Sequence, residues 1–105
     1  NCAVVIAHER APLSAITLGE VLATSDLHAG VVNLLTGKVS ELSPWLAAHM
    51  DVDGIDLSGV ARKNIGELQH VAAENLKRCH SFTGESLERI LAFTESKTVW
   101  HPIGV

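Results

Sequence analysis

The sequence predicts a three-layer α/β fold, with a short, mainly parallel sheet between helices. The first observation is a pair of apolar runs rich in β-branched residues, Cys2–Ala7 and Val31–Leu35, the second interrupted by Asn33. Continuous apolar runs are typical of strands that are covered on both faces. The second observation is the helical spacing of the segment between them, which Pro12 can open and Gly30 ends. Two strands joined by one helix are expected to lie parallel with a right-handed crossover.

The rest of the chain repeats this alternation of elements. A proline at position 44 is tolerable there if it falls in the first turn of a helix. From spacing and breaker residues we predict, in order, a helix over Ser40–Met50, a short strand over Ile55–Leu57, a helix over Ile65–Arg78, a strand remnant over Cys79–Phe82 and a last helix over Glu85–Thr94.

Length and composition bound the class of protein. The chain has 105 residues, of which 47% are hydrophobic and 19% charged, a profile typical of one small globular domain. Its net charge of −4 offers no basic field for nucleic acid or an anionic membrane. The longest apolar run, Cys2–Ala7, is far shorter than a membrane span. No signal peptide pattern is present. Because its two cysteines form no disulfide framework, we expect a cytoplasmic protein.

Cysteine, histidine and tryptophan are the residue types that could form disulfides, bind metal ions or anchor an interface. Cys2 and Cys79 form no disulfide framework, and Cys2 is expected to be buried on its strand. The histidines show no metal-ligand spacing, so no metal site is predicted. Trp45 and Trp100 are interpreted as core or interface anchors.

The first 37 residues carry a family resemblance. The chain reads Asn1-x-x-Val4-Val5, then Glu9-x-x-Pro12-Leu13, then Gly30-Val31-Val32-Asn33. This order resembles the cofactor domain of the NAD(P)-dependent aldehyde dehydrogenases, in which a G-N-x-V-V strand leads to K-P-S-E, a helix opened by P-L, and P-G-V-V-N. The resemblance implies a Rossmann-like sheet.

Later segments extend the resemblance. His49–Asp53 is similar to the family's H-x-D-V-D, Leu57–Gly59 stands where the family has F-T-G, and Asn75–Arg78 is similar to S-N-L-K-R. Phe93–Val99 resembles the family's Y-T-E-V-K-T-V, a segment near its C-terminus that feeds an assembly strand. The resemblance therefore implies a partial NAD(P)-binding-type domain over residues 1–92 and a tail over 93–105, with the catalytic domain between them missing. The start at Asn1 also suggests a piece of a longer polypeptide.

The resemblance implies NAD or NADP as cofactor and names three binding residues. Glu9 matches the ribose-binding carboxylate, and Ser58 and Gly59 match the start of the pyrophosphate loop. A surface carboxylate with no ligand is the alternative for Glu9. The family's ribose-contacting lysine is replaced by Ile6, and a phosphate-facing hydroxyl by Val60. Binding is therefore expected to be eroded or lost.

No catalytic residue is predicted in this chain. Aldehyde oxidation by this family needs a thiolate nucleophile and a general base. Cys79 follows the N-L-K-R match and corresponds to no nucleophile, and Glu85 is displaced from the position of the family's general-base glutamate.

Three functions remain open. The chain is interpreted as an aldehyde dehydrogenase family member, catalytically incomplete or degenerate, that supplies some cofactor contacts. The alternative is a non-catalytic assembly module that pairs with itself or with an active dehydrogenase subunit through the tail around Trp100. A third is a generic α/β module for another nucleotide.

Overall fold

The computed structural model describes residues 1–104; Val105, the last residue of the predicted tail, lies outside the described residues. Strands and helices alternate along the chain in the predicted order. The elements are β1 (Ala3–Ile6), α1 (Leu13–Ala23), β2 (Val32–Leu35), α2 (Val39–Ala48), β3 (Gly54–Asp56), α3 (Arg62–Ala73), β4 (Arg78–His80) and α4 (Leu87–Leu91).

The strands form two parallel pairs. β1 pairs with β2 in a register that sets Ala3 opposite Val32, and β3 pairs with β4 in a register that sets Ile55 opposite Cys79. The predicted α/β class with parallel strands is confirmed. Among residues 1–104 no hydrogen bonds join the two pairs into one sheet. The structure therefore has two two-stranded sheets where one continuous sheet was expected.

The hydrophobic core lies in the second half of the chain. Ala47 of α2, Leu57 after β3 and Leu68 of α3 are its buried centre. Half-buried residues from β3, β4 and α3 surround it: Ile55, Val60, Ile65, Val71 and Cys79. Ala47 of α2 and Ala72 of α3 are fully buried, and the two helices pack against each other.

The first half is more exposed than its apolar sequence predicts. Val4 and Val5 are 42% and 43% exposed, and adjacent strand residues face opposite sides, so neither face of β1 is covered. No residue of α1 is buried. The expectation of cover on both faces was wrong, and so was that of a buried Cys2, which is exposed. The physical reason is that burial depends on what packs against a strand, which its own sequence does not determine.

The elements differ from the predictions at several points, of which these are examples. Pro44 is the sixth residue of α2 rather than part of its first turn. α3 ends at Ala73 rather than Arg78, because Leu76 adopts a positive φ of 55° and the Lys77 N–H bonds back to the Ala72 carbonyl. α4 covers only Leu87–Leu91, since Ser86 is extended before it.

Both tryptophans are exposed, Trp45 by 78% and Trp100 by 89%. The core interpretation is therefore wrong for them, while the interface interpretation remains a prediction. In the described part of the chain, no helix is both long and apolar enough to cross a membrane.

Candidate functional site

A cleft of about 340 Å³ opens where β1 ends and where α2 and α3 begin. Its walls come from three segments that are distant in sequence: His8, Glu9 and Arg10 after β1, Val39 and Ser40 of α2, and Gly59, Ala61, Lys63 and Asn64 before and within α3. In parallel α/β folds, ligands bind outside the carboxyl ends of the strands. The cleft is therefore the candidate site.

Glu9 is held in place by the start of α2. Its Oε1 accepts a hydrogen bond of 2.6 Å from the Val39 N–H. The N-cap residue of α2, Lys38, makes no side-chain cap bond, so Glu9 supplies the acceptor that the helix end requires. This bond orients an exposed carboxylate at the wall of the cleft.

Two basic side chains, Arg10 and Lys63, line the cleft together with that carboxylate. The N-cap of α3 is Ala61, whose side chain cannot accept a hydrogen bond from the first N–H groups of the helix. The Asn64 N–H already donates to the Ala61 carbonyl at 2.8 Å, so attraction for an anion at this end depends on the N–H groups before it and on the helix dipole. The cleft thus combines one carboxylate with groups that attract phosphate.

The structure separates the three predicted cofactor-binding residues. Glu9 and Gly59 both line the cleft, and a Cβ at Gly59 would meet no atom within 4 Å, so the backbone there is open. Ser58 does not line it. Its Oγ donates to Asp56 Oδ1 at 2.5 Å and accepts from the Phe82 N–H at 2.8 Å.

Asp56 anchors a network beside the cleft. Its Oδ2 accepts two hydrogen bonds from Arg89, from Nε at 3.1 Å and Nη2 at 2.9 Å. Burial raises the pKa of Asp56, but the Ser58 hydroxyl and backbone N–H and the Arg89 guanidinium together hold that pKa below its usual value. Sequence reasoning missed both residues. The sequence signal available was an aspartate, Asp56, within a short predicted strand.

Cys79 and Glu85 do not line the cleft. Cys79 is half-buried on β4 and packs against the core. Glu85 is 90% exposed and pairs with Arg89 Nη1 at 3.0 Å. Over residues 1–104, no group of three or more histidine, cysteine, aspartate or glutamate side chains is arranged to hold a metal ion.

Comparison with known proteins decides the family. The family model described as "Aldehyde dehydrogenase family" matches residues 1–91. The chain belongs to the aldehyde dehydrogenase family. The resemblance drawn from the motifs within residues 1–91 is thereby confirmed, whereas that of the tail at Phe93–Val99 lies beyond the match and stays a prediction. The α/β fold is consistent with a Rossmann-like fragment of an aldehyde dehydrogenase cofactor domain.

Curated relatives agree with this assignment. The chain is 35% identical over 78 residues to the mitochondrial aldehyde dehydrogenase of Leishmania tarentolae, an alignment covering 74% of this chain and 16% of the relative. It is 33% identical to the NADP/NAD-dependent aldehyde dehydrogenase PuuC of Escherichia coli, with the same two coverages. The alignment to aldehyde dehydrogenase 1A1 of Bos taurus, at 28% identity, covers 96% of this chain and 22% of that protein. The chain thus spans about a fifth or less of these relatives. No solved structure gives a significant match.

Proposed function

We propose that this chain is a cofactor-binding part of an aldehyde dehydrogenase family protein, and that it binds the nucleoside end of NAD or NADP without oxidising aldehydes itself. The observation that carries the proposal is the cleft in which Glu9 and Gly59 converge on the start of α3.

The residues of the cleft support this assignment chemically. One oxygen of Glu9 caps α2, and the other is available to accept hydrogen bonds from the two hydroxyls of a ribose. Lys63 and the first N–H groups of α3 suit the phosphates that follow the ribose. Ile6 replaces the family lysine with an aliphatic side chain, so we expect weaker binding than in a complete dehydrogenase.

The same residues support the absence of catalysis from this chain. Aldehyde oxidation in the family requires a thiolate that attacks the carbonyl and a base for the thioester step, while the bound nicotinamide accepts the hydride. The cleft contains no cysteine, and its one carboxylate is bonded to a helix end. Oxidation by the whole protein would therefore depend on residues that this chain does not contain.

The test is a calorimetric titration of the chain with NAD, NADP and ADP. We expect binding, weakened about tenfold by Glu9→Gln, because the amide still caps α2 but accepts fewer hydrogen bonds from the ribose. Glu67→Gln is the matched control, since Glu67 is exposed on α3 and does not line the cleft. Absence of heat at millimolar nucleotide would contradict the proposal.

The second candidate function is assembly through the tail. Three large apolar side chains there, Val99, Trp100 and Ile103, are 67%, 89% and 92% exposed. Exposed apolar side chains clustered in one segment are typical of an interaction site. Light scattering at increasing protein concentration tests this. We expect Trp100→Ser to abolish any association, and the same change at exposed Trp45 to leave it intact.

A further inference from the structure

We propose that the cleft takes a single nucleotide, of the nucleoside diphosphate class, and excludes the second nucleoside of a dinucleotide. The inference rests on the proposed function, because it takes the cleft as a nucleotide site. What it adds is a limit on ligand length, which is set by the segment from Phe82 to Arg89.

A dinucleotide requires both halves of the crevice above a parallel sheet. In this class of fold the ligand lies across the carboxyl ends of strands on either side of the point where strand order reverses. The open cleft is the half that lies beside β1 and reaches Gly59 and the start of α3, just beyond β3. The other half would lie past it, above the last residues of β3 and β4, Asp56 and His80.

A hydrogen bond joins the two strand ends above β3 and β4. The Phe82 N–H, two residues beyond β4, donates to Ser58 Oγ, two residues beyond β3. Ser58 gives its only hydroxyl proton to Asp56, and its backbone N–H also donates to Asp56 Oδ1 at 2.8 Å. Three donors that a phosphate or an amide could use at this edge are therefore already engaged.

An ion pair then holds α4 over the same edge. Arg89 bonds Asp56 Oδ2 through two nitrogens, and its guanidinium lies 5.9 Å from the centre of the Phe82 ring. The two charged side chains are 35% and 25% exposed, so the pair is partly withdrawn from water and stronger than a surface pair. Phe82 also stacks on His80 with ring centres 5.6 Å apart. This covering is built from side chains of both strands and of α4.

The size of the open half agrees with one nucleotide. Its volume of about 340 Å³ lies near the lower limit for small-molecule sites, which hold roughly 300–1,000 Å³. A ribose at Glu9 and phosphates at Lys63 and the α3 N-terminus account for the polar groups of this half. The next nucleoside would meet the covered edge at Ser58.

Calorimetry with ADP, ADP-ribose, NAD and nicotinamide mononucleotide tests the proposal. We expect ADP and NAD to bind within about threefold of each other, and nicotinamide mononucleotide to give no heat at millimolar concentration. NAD binding more than tenfold tighter than ADP would overturn the length limit while leaving the proposed function intact. No binding by any of the four would overturn the proposed function, and the length limit with it.

Arg89→Ala provides a second, independent readout. Removing the guanidinium should release α4 from Asp56 and raise the affinity for NAD relative to ADP about tenfold. Retained ADP binding reports that the cleft is still folded. Glu85→Ala is the control, because it removes only the exposed partner of Arg89 and leaves the Asp56 bonds in place. An unchanged NAD-to-ADP ratio in a folded Arg89→Ala variant would contradict the proposal.

Discussion

Glu9 and Val39 are joined by a 2.6 Å hydrogen bond from the Val39 N–H to the Glu9 carboxylate, across 30 residues of sequence. The residue that lines the candidate site after β1 is thus also the cap of α2. Ligand binding and helix stability are consequently coupled at one side chain, and substitutions there must be chosen to separate the two.

Glu9→Ala should lower the free energy of unfolding by about 1 kcal/mol, because the first turn of α2 loses the side-chain acceptor that Glu9 supplies. Glu9→Gln should cost less than half of that, since the amide oxygen can still accept the Val39 N–H. Urea unfolding followed by circular dichroism measures both. If Glu67→Ala on the exposed face of α3 costs as much as Glu9→Ala, the capping role is wrong.

The free energy of unfolding should fall at acid pH because Asp56 becomes protonated there. Its folded-state pKa lies below the unfolded value of about 3.9, so its contribution is present above that pH and is lost as pH falls through the folded-state pKa. Urea unfolding from pH 6 to pH 2 should show a shallower loss for Asp56→Asn than for the unsubstituted chain. Asp26→Asn, at an exposed position outside the ion pairs of the described residues, controls for the change in charge. Equal slopes for the Asp56→Asn variant and the unsubstituted chain would refute the assignment.

Leu76→Gly should stabilise the protein by about 0.5–1 kcal/mol. Leu76 ends α3 with a φ of 55°, where a side chain is strained and glycine is not, and it is 90% exposed, so few contacts are lost. Thermal unfolding measures the gain. Leu76→Ala is the matched control, because it shortens the side chain but keeps the Cβ that causes the strain, and it should give no gain.

Gly66→Ala should also be stabilising, by roughly 0.5–1 kcal/mol, because Gly66 lies within α3 and a Cβ there meets no atom within 4 Å. The same change at Gly19 of α1 should gain less, since its Cβ would approach Leu34 Cδ1 to 3.2 Å. Comparing the two midpoints of urea unfolding tests the argument. A larger gain at Gly19 would show that α1 does not contact β2 as described.

The first strand–helix–strand unit was predictable because its signals are local. β-Branched runs and Pro12 specify β1, β2 and the start of α1 within a residue or two. The end of α1 was placed wrongly, because the helix stops at Ala23, well before Gly30. The end of α3 was not predictable in the same way. A leucine occupies the left-handed position where glycine is the usual signal, so the sequence shows no stop at position 76.

The candidate site was predictable in part. Glu9 and Gly59 were named from the family resemblance, and the structure brings both of them to the cleft. Ser58 does not line the cleft because its hydroxyl bonds Asp56 and Phe82, and Asp56 is itself bonded by Arg89. Those contacts join distant segments through side chains, and no spacing rule connects them.

The division of the strands into two pairs has a consequence for amide hydrogen exchange. β1 and β2 lie among exposed apolar side chains, whereas β3 and β4 lie against the buried core. Local opening should therefore take less free energy for the first pair than for the second. The amides of Val4 to Ile6 should exchange before those of Ile55 and Cys79, and the protein should open as two cooperative units rather than one.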